Sequence, residues 1–446
     1  MKTNRVTATS PAKLSLGGLE LYAGLVGAWL GLGLLKFGNP VVLDKMVEKP
    51  VDAWEWILQP WPLAWGYLGT VALAILGLVA FRPKLDAKHW LLALPAVWLG
   101  WQWIASAGSV DPALTRVTLP HFTVAAGFFY LGLTMLGRAR SMPLFWWALI
   151  LAFAYVLWFG LDQHAGGLEA TRKAFYENTP NWQSYPPDFI KKIESNRIFS
   201  TLVYPNALAG SILLLLAPAA VCLWGQSERW PKILRGVAVG CLIYLGLACL
   251  VWTESRSGWL IALVLIVVAF LRQPLPVKTK IMVAGAVCVT GLVAFAIRNQ
   301  AYFKRGATSV SARGDYWRAA VHTFREHPVF GAGPGTFATT YSKIKPAGAE
   351  MAKLAHNDYL EQASDSGAPG FILYLAFWAG SMWLLFGRLR DDPRLFAVWL
   401  GLLGWSLQGL VEFGLYIPAL AWLAFLLTGW LWGATASRNG IDTQGS

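Results

Sequence analysis

The chain has 446 residues, of which 56% are hydrophobic and only 14% charged, with a mean hydropathy of +0.47. Soluble globular domains carry roughly 25% charged residues, so the composition excludes an ordinary soluble protein, and it also excludes a disordered chain, a collagen and a disulfide scaffold. What remains is an all-α polytopic membrane protein, in which a net charge of +13 needs an explanation other than nucleic acid.

A transmembrane helix needs about 20 mostly apolar residues. Twelve segments qualify, near 18–37, 64–81, 89–107, 117–137, 143–161, 203–224, 236–253, 257–271, 281–297, 367–387, 395–411 and 416–434. They are apolar all round rather than alternating, which argues against strands. Gly27 and Gly31 form a small-xxx-small pair suited to close helix packing. No cleavable leader is expected, because the first apolar stretch is long and no A-x-A-like site follows it. The four cysteines, Cys222, Cys241, Cys249 and Cys288, lie in or beside spans without a C-x-x-C pair and read as packing residues.

Orientation follows from Lys and Arg in short loops. With the N-terminus in the cytoplasm, the inner segments carry Lys2, Arg5, Lys13; Arg82, Lys84, Lys88; Arg138, Arg140; Arg229, Lys232, Arg235; Arg272, Lys278, Lys280; Arg388, Arg390, Arg394; and Arg438. About 18 of the cations but only about 6 of the acids fall inside on this topology, so the basic excess is a topology signal. Twelve spans return the C-terminus to the cytoplasm. The chain divides into residues 1–297, nine spans with outer loops near 38–63 and 162–202; residues 298–366, a long outer loop; and residues 367–446, three spans and a cytoplasmic tail.

In the long loop, Tyr316, Ala320 and Phe324 recur at i, i+4, i+8 and predict an amphipathic helix that Pro328 stops. The segment Gly331-Ala332-Gly333-Pro334-Gly335 is a turn cluster without the G-K-[ST] ending of a phosphate loop. The span centres are almost free of ionisable residues, which lowers a transporter reading and raises that of an enzyme at the outer membrane–water boundary.

Polar residues cluster at outer helix ends. Asn196-Arg197 precedes Tyr204-Pro205-Asn206, Thr253 to Gly258 form a tight turn, and His356-Asn357-Asp358 precede the tenth span. Arg at the hydrocarbon boundary is costly unless paired, and its fork suits bidentate grip on phosphate, so Arg197 and Arg256 are candidates to clamp a diphosphate. The alternative is structural pairing with Glu194 or Glu254. His356 is the candidate general base, since neutral imidazole accepts a proton near pH 7. His322 and His327, five apart with no Cys or third His beside them, make a poor metal pair. Glu412, at the outer end of the eleventh span, would orient a base or an Arg, or pair structurally.

Four features together resemble the O-antigen ligase (WaaL) family, within the superfamily of O-antigen ligases, polymerases and O-oligosaccharyltransferases. His356-Asn357, nine residues, then Gly367-Ala368-Pro369-Gly370 resemble the pattern H-[NSQ]-x9-G-x-x-[GTY]. Pro205 to Ala209 resemble an Asn-Pro-Asn-rich helix start, with Tyr204 where a small polar residue is common. Ser255-Arg256-Ser257-Gly258 resemble an S-R-S-G turn, and Arg313 to Phe337 resemble the segment before the histidine. The resemblance covers about residues 195–375. It implies glycosyl transfer at the periplasmic face of the bacterial inner membrane, from a glycan on undecaprenyl diphosphate to a sugar hydroxyl of lipid A–core, in lipopolysaccharide biosynthesis. By the same resemblance His356 is the base, Arg197 and Arg256 bind the diphosphate, Arg313, Glu412, Asn357 and Asn206 are second-rank candidates, and neither metal nor other cofactor is needed. Partners expected are the lipid-linked donor, the lipid A–core acceptor and membrane lipids, and no nucleic acid. The rivals are an O-antigen polymerase, a protein O-oligosaccharyltransferase and, from another class, a lipid-linked glycan transporter.

Overall fold

The computed structural model describes residues 17–139, 141–185, 187–304, 308–389 and 392–442. Of the cations that orient the chain, Lys2, Arg5, Lys13, Arg140 and Arg390 lie outside the described residues, as does the side chain of Arg438. Among the described residues every regular element is helical. The apolar stretches form α1 (Gly18–Lys36), α2 (Leu63–Ala80), α3 (Leu94–Ala105), α4 (Pro112–Thr134), α5 (Pro143–Asp162), α6 (Pro205–Gln226), α7 (Lys232–Trp252), α8 (Arg256–Leu271) and α9 (Val277–Arg298). The amphipathic loop segment forms α10 (Thr308–Glu326), and α11 (Asp358–Phe386), α12 (Pro393–Gln408) and α13 (Pro418–Asp442) follow.

Ten of these helices, with their flanking helical turns, are long and apolar enough to cross a membrane. The other two expected spans, α8 and α12, are helices of only 16 residues. At 1.5 Å per residue each reaches about 24 Å, short of a hydrocarbon core of about 30 Å. The span count from sequence therefore holds for helices, but two of them fall below full spanning length.

Small residues set the closest helix contacts. A Cβ added to Gly27 would lie 2.6 Å from the Phe145 backbone, and one on Gly31 would lie 3.0 Å from Ala152 Cβ, so the expected pair joins α1 to α5. Gly132 on α4 and Gly429 on α13 play the same part, with added Cβ atoms 2.2 Å from the Leu426 carbonyl and 1.9 Å from that of Phe129. Helix α13 is accordingly the most enclosed span, whereas α9 buries none of its residues and packs along α8.

Loop contacts sort the connections onto two ends. At one end Ala419 N–H donates to Phe37 O, Val110 N–H to Ala332 O and Asp358 N–H to Gly409 O. At the other, Lys84 N–H donates to Thr134 O and Arg138 to Arg82 O. This alternation is what a chain of successive crossings requires.

Helix α11 begins nine residues earlier than the expected tenth span and is broken at Ser366-Gly367, where Gly367 has φ +68°. The break is filled by the 328–335 turn. Ala368 N–H donates to Pro328 O, and Ala332 and Gly333 N–H donate to the carbonyls of Ser364 and Asp365. The turn's three glycines all have positive φ, and a Cβ on Gly331 would sit 2.3 Å from the Asp365 backbone. Helix α10 buries Tyr316, Ala319, Ala320 and Thr323 against α11 and ends at Glu326, before Pro328.

Candidate active site

At the loop-rich end a cavity of about 230 Å³ is lined by Lys192, Arg197, Tyr204, Asn206, Glu254, Arg256, Arg313, Tyr316, Glu350 and His356, among others. The chain reaches it from several separate places. Arg197 comes from the stretch before α6, Asn206 from the first turn of α6, Arg256 from the first turn of α8, and Arg313 from α10. His356 stands just before α11, where Asn357 caps the helix by accepting from Tyr359 and Leu360 N–H. Asn357, a second-rank candidate from sequence, is thus spent on the cap and does not line the cavity; its short side chain next to a helix start is better used on orphan backbone donors.

Glu412 is the hub. It is buried in the Gly409–Ile417 connection between α12 and α13, and its Oε2 lies 3.0 Å from His356 Nδ1. Its Oε1 accepts from Asn206 Nδ2 at 2.5 Å and from Arg313 Nη2. Burial pushes its carboxyl up, but the neighbouring His356 and then Arg313 outweigh that, and the group is held below the usual glutamate range. Burial likewise pulls the Arg313 guanidinium down, and Glu412 more than restores it. Either role foreseen for Glu412 is thus geometrically present, since one carboxylate holds both a base and an Arg.

The two other arginines are tethered to neutral acceptors. Arg197 Nε donates to Thr253 O at 2.8 Å and Nη2 to Asn206 Oδ1 at 2.7 Å. Arg256 Nε donates to Asn299 Oδ1 at 2.8 Å, and its guanidinium lies 3.6 Å over the Tyr302 ring. Neither forms an ion pair with Glu194 or Glu254 among the described residues, so the pairing alternative does not describe them. A fork held by Nε has its plane fixed and keeps positive charge on the cavity wall.

Three rings enclose the imidazole. Phe413 meets it edge-on at 4.7 Å between centroids, Tyr316 lies parallel at 5.7 Å, and Tyr204 is at 6.1 Å. Among the described residues four that are not glycine have positive φ: Ser200, Val203, Glu254 and His356. All four lie in the segments that carry Arg197, Arg256 and the histidine. Such backbone costs about 1–3 kcal/mol per residue and persists only where surrounding contacts enforce it.

Sequence reading missed several residues here. Tyr316 was legible only as the buried face of an amphipathic helix, and nothing in the pattern aimed its ring at His356. Lys192 and Glu350, which pair at 2.5 Å, come from two outer loops with no motif. The buried carboxylates Asp358, Glu361 and Asp365 at the head of α11 were missed because that stretch read as loop. His322 pairs with Glu326 on α10, away from the cavity, and His121 is buried in α4 with Nε2 2.7 Å from Leu415 O.

A helical membrane protein with a cationic cavity beside a carboxylate-held imidazole falls in the class of membrane enzymes. Residues 241–375 match the family model described as O-antigen ligase, which supports an enzyme and is consistent with the resemblance drawn from the sequence. The match includes Arg256, Arg313 and His356, while Arg197 and Asn206 line the same cavity, and Glu412 contacts His356, from outside the match. A search of curated proteins found no match to the chain.

Proposed function

We propose that this protein is an O-antigen ligase that transfers a glycan from undecaprenyl diphosphate to a sugar hydroxyl of lipid A–core at the periplasmic face of the inner membrane. The observation that carries the reading is the contact between His356 Nδ1 and Glu412 Oε2 at 3.0 Å in a cavity also lined by Arg197, Arg256 and Arg313. An imidazole whose Nδ1–H donates to a carboxylate has its lone pair on Nε2, so Nε2 is the basic nitrogen. It takes the proton of the acceptor hydroxyl as that oxygen attacks the anomeric carbon. The bond from that carbon to the diphosphate oxygen breaks, and the charge passes to undecaprenyl diphosphate. Glu412 stabilises the imidazolium formed, and the tethered guanidiniums stabilise the departing diphosphate. The cations of the far end, Arg82, Lys84, Arg138 and their equivalents, support the assignment of that end to the cytoplasm.

The test is a deletion strain complemented with wild type or His356→Ala and read by lipopolysaccharide gel. The ligase reading expects uncapped lipid A–core, with polymer held on the lipid carrier. Core bearing a single repeat would instead identify a polymerase, and normal capping by the variant would remove His356 from the mechanism.

A further inference from the structure

Beside the arginine cavity lies a second and larger one, of about 400 Å³, lined by Gln163, His164, Arg172, Asn196, Trp252 and Arg298 among others. Glu254 lines both. The partition between them is two strands of backbone thick. Ile198 N–H donates to Trp252 O at 3.3 Å, and Arg197 Nε donates to Thr253 O at 2.8 Å. Neighbouring residues therefore serve opposite sides. Asn196 and Trp252 line the second cavity, and Arg197 and Arg256 line the first.

The two differ in charge. The first sets Arg197, Arg256, Arg313 and Lys192 against Glu254 and Glu350, whereas the second balances Arg172 and Arg298 with Glu169 and Glu254. Arg172 is moreover spent on its own surroundings. Its Nε donates to Ile193 O, Nη1 to Glu169, and Nη2 to Ser195 O and Asn196 Oδ1. Arg172 thus offers an anion no open fork, and Arg298, the other cation of the wall, lies over the Trp259 ring. The wall is about evenly polar and apolar, so a wholly apolar ligand would leave its amide, carboxylate and guanidinium groups without partners. The one broad apolar surface is Trp252, stacked on His164 at 3.9 Å and 11°. A polyhydroxylated ring suits this lining, since each hydroxyl both donates and accepts and the C–H face of the ring packs on an aromatic.

We propose that this second cavity is a glycan subsite, holding a sugar unit of a substrate whose reacting end lies across the Trp252–Glu254 partition. The proposal rests on the glycosyl-transfer reading of the first cavity. Donor and acceptor glycans share this chemistry, and kinetics distinguishes them. The purified enzyme in lipid nanodiscs is assayed with the lipid-linked donor and lipid A–core, each varied in turn, for wild type, Trp252→Ala and Val251→Trp. Val251 is exposed at the cavity edge, so a bulky side chain there fills the space without disturbing the core. Both variants are expected to raise KM for one substrate about tenfold, equivalent to one sugar-aromatic contact of about 1.4 kcal/mol, with the effect in KM rather than kcat. A rise for the donor assigns its glycan to the cavity, and a rise for lipid A–core assigns the acceptor's. Unchanged KM for both substrates in both variants, or a fall in kcat alone, overturns the proposal. A second readout is saturation-transfer NMR with free oligosaccharide released from lipopolysaccharide by mild acid. Binding to wild type that is lost in both variants keeps the subsite even if wild type proves to have no transferase activity. Equal signals in wild type and variants overturn the proposal while leaving the transferase reading intact.

Discussion

Two buried polar regions flank His356, and they use charge in opposite ways. On one side is the cavity, where Arg197 and Arg256 are tethered through Nε to a carbonyl and an amide and carry no acid of their own. On the other is the head of α11, where Asp358, Glu361 and Asp365 are all at most 1% exposed and none is paired with a cation among the described residues. Each of these carboxylates takes a backbone N–H from a different site loop. Asp358 accepts from Leu415, Glu361 from Ala355 and Asp365 from Gly335. Cations left without acids remain available to an incoming anion, whereas carboxylates bonded to backbone hold loops in place. The comparison teaches that substitutions on the first side should cost chemistry, and those on the second should cost the fold.

The largest expected effect is that of His356→Ala, which removes the proposed base. We expect kcat to fall by about 10²–10⁴-fold, with thermal unfolding unchanged, in a nanodisc transfer assay paired with a melting scan. Arg256→Lys keeps the charge but loses the fork and the contact with Tyr302. A fall of about 10²-fold in kcat is expected, and wild-type turnover would remove Arg256 from the diphosphate site.

Glu412→Gln tests the hinge between the two regions. Its carboxyl is held below the usual range in the folded protein, so it contributes stability above the unfolded glutamate value that is lost as pH falls through the folded one. Wild type should therefore lose thermal stability on acidification below about pH 4, and the Gln variant should lose less over the same window. The variant should also be slower by about tenfold to a hundredfold at neutral pH. A melting curve with the same acid slope as wild type would show that Glu412 carries no such linkage. The smallest effect on rate belongs to the acid side. Asp365→Ala strips the partner from Gly335 N–H and Tyr416 O–H. Each orphaned donor costs about 1–3 kcal/mol, read as a lowered melting temperature, while kcat of the folded fraction stays within about threefold. A large fall in kcat at unchanged stability would break the comparison.

Much of this was legible in the sequence because membrane physics is stringent. A run of apolar residues has few solutions other than a helix, and Gly27-xxx-Gly31 announces its contact with α5. His356, Arg197, Arg256, Asn206 and Glu412 could be picked out as polar groups at helix ends and Arg313 through the resemblance, and the fold brings them to one cavity wall or its hub. What was not legible depends on interlocking. The head of α11 is polar in composition and helical only because the 328–335 turn and the 409–417 connection satisfy its exposed groups. No local pattern encodes that Gly367 must lack a Cβ because the Val329 carbonyl would lie 2.1 Å from it. Asn357 stood out as a polar neighbour of the histidine, but that its Oδ1 caps α11 was not legible before the helix start was known.

The two 16-residue helices, α8 and α12, each have one end at the cavity or on a residue that lines it. Arg256 opens α8, and Gln408 closes α12 with Nε2 on the Asn206 carbonyl. They fall about 6 Å short of a typical hydrocarbon core, a mismatch that local thinning of the bilayer would meet. Such thinning would draw the water boundary inward over this patch. On the proposed function, a polyprenyl diphosphate in the adjoining leaflet would then meet the guanidiniums at its own headgroup depth, without lifting its first isoprene units out of the hydrocarbon. Under that proposal turnover is expected to fall in thicker bilayers, where the two short helices are more mismatched.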